Sequence, residues 1–78
     1  MSAVANPHDN PWTDVGVHLP EPLLDVLIVY KFEGEPTVDM AFRRASGEWF
    51  LTGSEPLIRV SPTHFMHLPE PPTQENLP

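Results

Sequence analysis

The sequence predicts a small all-β domain: an antiparallel β-meander of three to five strands, with proline-rich flanks and little or no helix. Three observations carry this expectation. Eleven prolines interrupt a chain of 78 residues. Each removes a backbone donor and clashes with the preceding helical turn, so no long helix fits between them. The apolar runs are rich in β-branched and aromatic residues, which suit a pleated surface. Where polar and apolar residues mix, they alternate with a period of two, the signature of a half-buried strand.

Taken in order, residues 1–10 are polar and aperiodic, as expected of a flexible N-terminal arm. Residues 11–68 form the single small domain. Trp12, Val15, Val17 and Leu19 are candidates to pin its first segment to the core. Leu23 to Phe32 is the clearest strand. Val26, Ile28, Tyr30 and Phe32 share one face, and Leu27, Val29 and Lys31 the other. Both faces are largely apolar, as in a central strand covered on two sides. Glu33-Gly34-Glu35-Pro36 reads as a turn, with the proline ending the ladder. Thr37 to Arg44 alternates, with Val38, Met40 and Phe42 expected to face the core and Thr37, Asp39, Ala41 and Arg43 the solvent. Ala45-Ser46-Gly47 suits a hairpin loop, and Glu48 to Thr52 the returning strand. Gly53-Ser54-Glu55-Pro56 is a loop. Leu57 to Val60 reads as an edge strand, and Thr63 to Leu68 as a last extended segment. Residues 69–78 form a proline-rich flexible tail, expected to favour polyproline II.

The formal charge is −7, from eleven acids against four Lys and Arg. Residues 1–30 hold four acids and no Lys or Arg. Such a chain is repelled by nucleic acid and by anionic lipid, so neither is expected as a partner. There is no cysteine, which excludes disulfides and thiolate metal sites. Val26 to Tyr30, the longest apolar run, falls far short of the roughly 20 residues that span a bilayer. A soluble, cytoplasmic protein is expected.

The pentapeptide His-Leu-Pro-Glu-Pro occurs twice, at residues 18–22 and 67–71. The residues preceding the two copies do not align, which argues against duplication. Shared local physics explains the pair better. Proline forces the residue before it into an extended conformation, so Leu19 and Leu68 are expected to anchor the ends of extended segments in the core.

The order of short motifs adds a resemblance. Trp12-Thr13-Asp14-Val15, Leu19-Pro20-Glu21, Val26-Leu27-Ile28-Val29-Tyr30, Gly47-Glu48-Trp49, Thr63-His64-Phe65-Met66 and Leu68-Pro69-Glu70-Pro71-Pro72 together resemble the DUF551 family of small phage and prophage proteins. Phe65 stands where that family usually carries tryptophan, and His67 where it usually carries proline. The family is of unknown function. The resemblance therefore implies an origin and a fold, and for a phage-encoded chain the host cytoplasm, and it carries over no catalytic residue.

No constellation for catalysis is visible. Ser46, Ser54 and Ser61 lack a nucleophile elbow, and the four glycines are too scattered to cradle a phosphate. A non-enzymatic protein without cofactor is expected. His18, His64 and His67 are the histidines near the strands. His64 and His67 are three apart, so on a strand they point to opposite faces, which disfavours a shared metal. Phe50, between Trp49 and Leu51, is expected on the face away from the core. It is a candidate anchor for a partner or a homodimer, with Glu48, Glu33, Glu35 and Asp39 as accompanying acids. Arg43 and Arg44, together with Lys31 and Arg59, are candidates to hold a small anionic ligand, or else to pair with acids across strands. Pro69-Glu70-Pro71-Pro72 has the form of a PxxP ligand.

The leading functional expectation is a phage or prophage accessory protein that binds a host protein. One version is an anti-CRISPR-like inhibitor of host defence, steered by its acidity. The alternatives are a binder or sponge of a small anionic ligand and a purely structural, dimerising module.

Overall fold

A computed structural model describes residues 11–71. The arm expected at residues 1–10 and most of the tail, residues 72–78, lie outside the described part. The described residues form one antiparallel sheet and no helix. Its strands are β1 (Thr13–Asp14), β2 (Val26–Phe32), β3 (Glu35–Arg43), β4 (Trp49–Leu51), β5 (Arg59–Val60) and β6 (His64–His67).

The all-β expectation holds, but the sheet has six strands and is not a simple meander. Strands β2 to β5 follow one another, and β6 then returns to lie between β1 and β2, giving the order β1-β6-β2-β3-β4-β5. Only residues 61–63 join β5 to β6. In a flat sheet those strands stand four spacings apart, about 19 Å. The four Cα steps from Val60 to His64 reach at most about 14 Å. The sheet must therefore curl until its two ends approach. The Thr63 amide closes the bend, donating to the Val29 carbonyl at 2.8 Å.

Curling gives the sheet a concave and a convex face. Val26, Ile28, Tyr30, Ala41, Trp49 and Phe65 are buried together, with Val15, Leu51 and Val60 packed against them. The register explains the set: Val26 lies opposite Ala41, Ile28 opposite Phe65, Ala41 opposite Leu51 and Trp49 opposite Val60. Cross-strand partners share a face, so all of these fill the concave side.

This register reverses the faces expected for Thr37 to Arg44. Ala41, expected outside, is fully buried. Val38, expected inside, is 56% exposed on the convex side. The cause is steric. Inside a tight curl the larger rings of Trp49 and Phe65 occupy the space, and a small residue on β3 leaves room for them. Alternation alone fixes which residues share a face, not which face meets the core.

One strand boundary and one expected role differ as well. The ladder extends to Glu35, because Glu33 and Gly34 both take positive φ, 52° and 84°, as a tight two-residue hairpin loop requires. Pro36 then sits inside the ladder, opposite Lys31. It is tolerated because β4 pairs with β3 only from Ala41 to Arg43, leaving the other flank of β3 unpaired at Pro36. Leu19 and Leu68 are exposed, contrary to the anchoring role expected of them. In the first copy of the repeat the buried residue is Pro20. Its rigid ring needs no polar partner at nitrogen, so burying it costs little.

Candidate functional site

The convex face is built from the second set of cross-strand partners. Met66 lies opposite Leu27, Leu27 opposite Met40, Val29 opposite Val38, and Phe42 opposite Phe50. Large apolar side chains thus run from β6 across β2 and β3 to β4. Leu27, Val29, Met40, Phe42, Phe50 and Met66 are half-buried. Among the described residues there is no second sheet or helix to cover them.

Phe50 stands at one side of this face, opposite in direction to the buried Trp49. Its ring lies 6.0 Å from that of Phe42 at an angle of 34°. The Arg44 guanidinium sits 4.7 Å from the Phe50 centroid, within range of a cation–π contact. Arg59 is its partner on β5.

Glu48 completes the cluster. It accepts a short hydrogen bond from the Ser46 hydroxyl. That bond, ahead of the backbone and the charges of Arg59 and Arg44, holds the Glu48 carboxyl below the ordinary range, against a smaller opposing effect of burial. The other predicted acids lie elsewhere. Glu33 is in the β2–β3 turn, and Glu35 and Asp39 lie on β3 across from Phe32 and Ile28, on the concave side. Glu35 is eight residues from the Arg43 end of the strand, about 27 Å. These carboxylates and Glu48 do not form one row.

The three predicted arginines also separate. Arg44 and Arg59 flank Phe50. Arg43 turns away from them, donating from Nε to the Pro20 carbonyl at 2.6 Å. Among the described residues none of them forms an ion pair with a carboxylate. Arg59 instead lines a groove together with Lys31.

His64 pairs with Val29 and His67 with Val26, so the two point to opposite faces of β6. The Nδ1 of His64 is 2.9 Å from the Thr63 hydroxyl. No group of three metal-ligating side chains occurs among the described residues. No helix there is long and apolar enough to cross a membrane.

Sequence reasoning missed one feature. Val17, Leu19, Leu23 and Leu24 are all exposed on the connection between β1 and β2, Leu23 at 71% and with φ at +66°. Nothing in the local pattern separates these residues from core anchors. Comparison with protein-family models, curated proteins and solved structures finds no match for this chain.

Proposed function

We propose that this chain is a non-enzymatic protein-binding module, and that its contact surface is the convex face centred on Phe42, Phe50 and Arg44. The observation that carries the reading is an apolar sheet face spanning four strands with no covering layer among the described residues. Contiguous apolar surface of this kind is characteristic of interaction sites. Aromatic residues and arginine dominate the energetics of such sites, and here they stand together, with Arg44 already over the Phe50 ring.

Resemblance to phage and prophage proteins supports a host protein as the partner, met in the host cytoplasm. The narrower reading, an acidic inhibitor that occupies a basic groove of a defence complex, rests on the charge of −7. It gains nothing from the geometry, since Glu33, Glu35 and Asp39 stand apart from Glu48.

The test is affinity capture from bacterial lysate with the parent chain, Phe50→Ala and a control, Glu55→Ala. A single host protein retained by the parent and the control but lost with Phe50→Ala is the expected result. Equal retention by all three, or none by any, overturns the assignment of this face.

A further inference from the structure

The curled sheet leaves a seam where β2 outruns β6. The two strands pair only from Val26 to Val29 of β2. Beyond that point Tyr30, Lys31 and Phe32 keep β3 on one flank and, among the described residues, have no strand on the other. A groove of about 470 Å³ opens along this flank, between the end of β2 and the segment around β5. The link through Thr63, whose amide bonds to the Val29 carbonyl, closes one end of it.

Hydrogen bonds fix which backbone groups face the groove. On β3 the Arg43 carbonyl accepts the Leu23 amide, on the side of β2, and the Met40 carbonyl accepts the Thr52 amide, on the side of β4. Successive residues of an antiparallel strand turn their N–H and C=O to alternate flanks. Ala41, Asp39, Thr37 and Glu35 therefore bond toward β2, and Val26, Ile28, Tyr30 and Phe32 bond back. Lys31 lies between two of these. Its N–H and C=O point into the groove, with no backbone partner among the described residues. On β5 the Ile58 carbonyl accepts the Leu51 amide, so Arg59, the next residue, directs its N–H and C=O away from β4. Lys31 and Arg59 thus line the groove with main chain. Their side chains belong to the convex face, with Val29 and Phe50.

We propose that the groove takes an extended peptide segment of a partner protein, added as a strand on the Lys31 flank of β2. In this mode the main chain supplies the hydrogen bonds, and alternate side chains of the peptide fill pockets. The residue opposite Lys31 exchanges both bonds with it and turns its own side chain to the convex face, beside the Lys31 ammonium. The residues before and after turn theirs into the groove, against Tyr30, Phe32, Leu51 and Val60. Phe32, 57% exposed, gains cover. The sequence that fits is apolar, acidic, apolar. Lys31 also excludes a second copy of this chain as the occupant. Two copies paired antiparallel about this flank set Lys31 against Lys31, and like charges directly opposite are destabilising. The vacant flank of β3 is blunted in another way: Pro36 has no donor, and the Asp39 carboxylate takes the Met40 amide. Edges that are to stay unpaired carry such devices. The β2 flank has neither, and it stands independently of the contact surface at Phe42 and Phe50.

The experiment is a titration of the full-length chain with acetyl-Thr-Val-Glu-Val-Thr-amide, followed through backbone amide resonances. The peptide is expected to move resonances of residues 30–32 and 58–63 and to slow hydrogen exchange of the Lys31 amide. Methylating the amide nitrogen of its glutamate removes a main-chain donor and is expected to weaken binding about tenfold, the scale of one strong or two ordinary hydrogen bonds. Lysine in place of that glutamate is expected to weaken binding about threefold, the scale of an exposed ion pair. Lys31→Glu, a change at an exposed side chain, is expected to reverse that preference. Undiminished binding of the methylated peptide overturns the added strand. Equal binding of the glutamate and lysine peptides by the parent, or the same preference in Lys31→Glu, overturns the pairing with Lys31. Shifts centred on Phe42 and Phe50, or no shifts at all, overturn the site.

Discussion

The Arg43 guanidinium donates from Nε to the Pro20 carbonyl at 2.6 Å, while the Arg43 carbonyl accepts the Leu23 amide at 2.8 Å. One residue of β3 thus clamps the 15–25 connection from both its side chain and its backbone. A hydrogen bond from a charged donor contributes about 1.5–3 kcal/mol when partly shielded from water. Arg43 is half-buried and Pro20 buried. Arg43→Ala should therefore lower stability by roughly that amount, seen as a lower urea midpoint at unchanged slope. An unchanged midpoint would mean that the clamp contributes nothing.

The reversal of β3 makes a sharp comparison between neighbours in sequence. Ala41 is fully buried against Val26 and Leu51. Ala41→Leu should destabilise by about 1–3 kcal/mol, because extra volume in a packed core forces its surroundings aside. Val38 points to the convex side and is mostly exposed. Val38→Thr should change stability by no more than about 0.5 kcal/mol. Urea denaturation of both variants checks the assignment, and the opposite order would restore the face read from alternation alone.

Leu23 holds φ at +66° with its side chain in solvent. The left-handed region costs an L-residue roughly 1–2 kcal/mol. Glycine escapes that cost but adds about 0.5–1 kcal/mol of chain entropy. Leu23→Gly loses little burial, so it should stabilise the fold slightly, by up to about 1 kcal/mol. The midpoint of thermal unfolding should rise. A fall would show that the Leu23 side chain packs in solution against something other than the described residues.

These contrasts show where the sequence was legible. The strands β2, β3 and β4 could be read because their apolar and polar residues alternate over several positions, and alternation sets shared faces. The position of β6 could not. It follows from a three-residue link between β5 and β6 that forces the sheet to curl, and such closure depends on all strands at once. The inversion of β3 has the same origin, since only the curl decides that small Ala41 suits the inside better than Phe42. Phe50 was placed correctly away from Trp49 because the two are adjacent on one strand. The expected group of Arg43, Arg44 and Arg59 does not stay together in the fold. Adjacent residues on a strand point to opposite faces, so Arg43 turns to Pro20 while Arg44 and Arg59 stay beside Phe50.

The Glu48 carboxyl offers a test of the β3–β4 hairpin through pH. Its pKa is held below the ordinary carboxylate range, first by the Ser46 hydroxyl. A carboxyl depressed in the folded state stabilises that state only while it is ionised. The contribution is therefore fully present above the unfolded pKa, near 4.3 for glutamate, and disappears as pH falls through the lower folded value. Ser46→Ala removes the leading cause and should raise the Glu48 pKa toward the ordinary value, read from the side-chain carboxyl carbon resonance. The stability difference between parent and Ser46→Ala that arises from this group should be constant above about pH 5.5 and shrink as the solution is acidified further. A Glu48 titration identical in the two proteins would show that the hydroxyl does not hold the carboxylate in solution. A difference that grew on acidification would give the linkage the wrong sign.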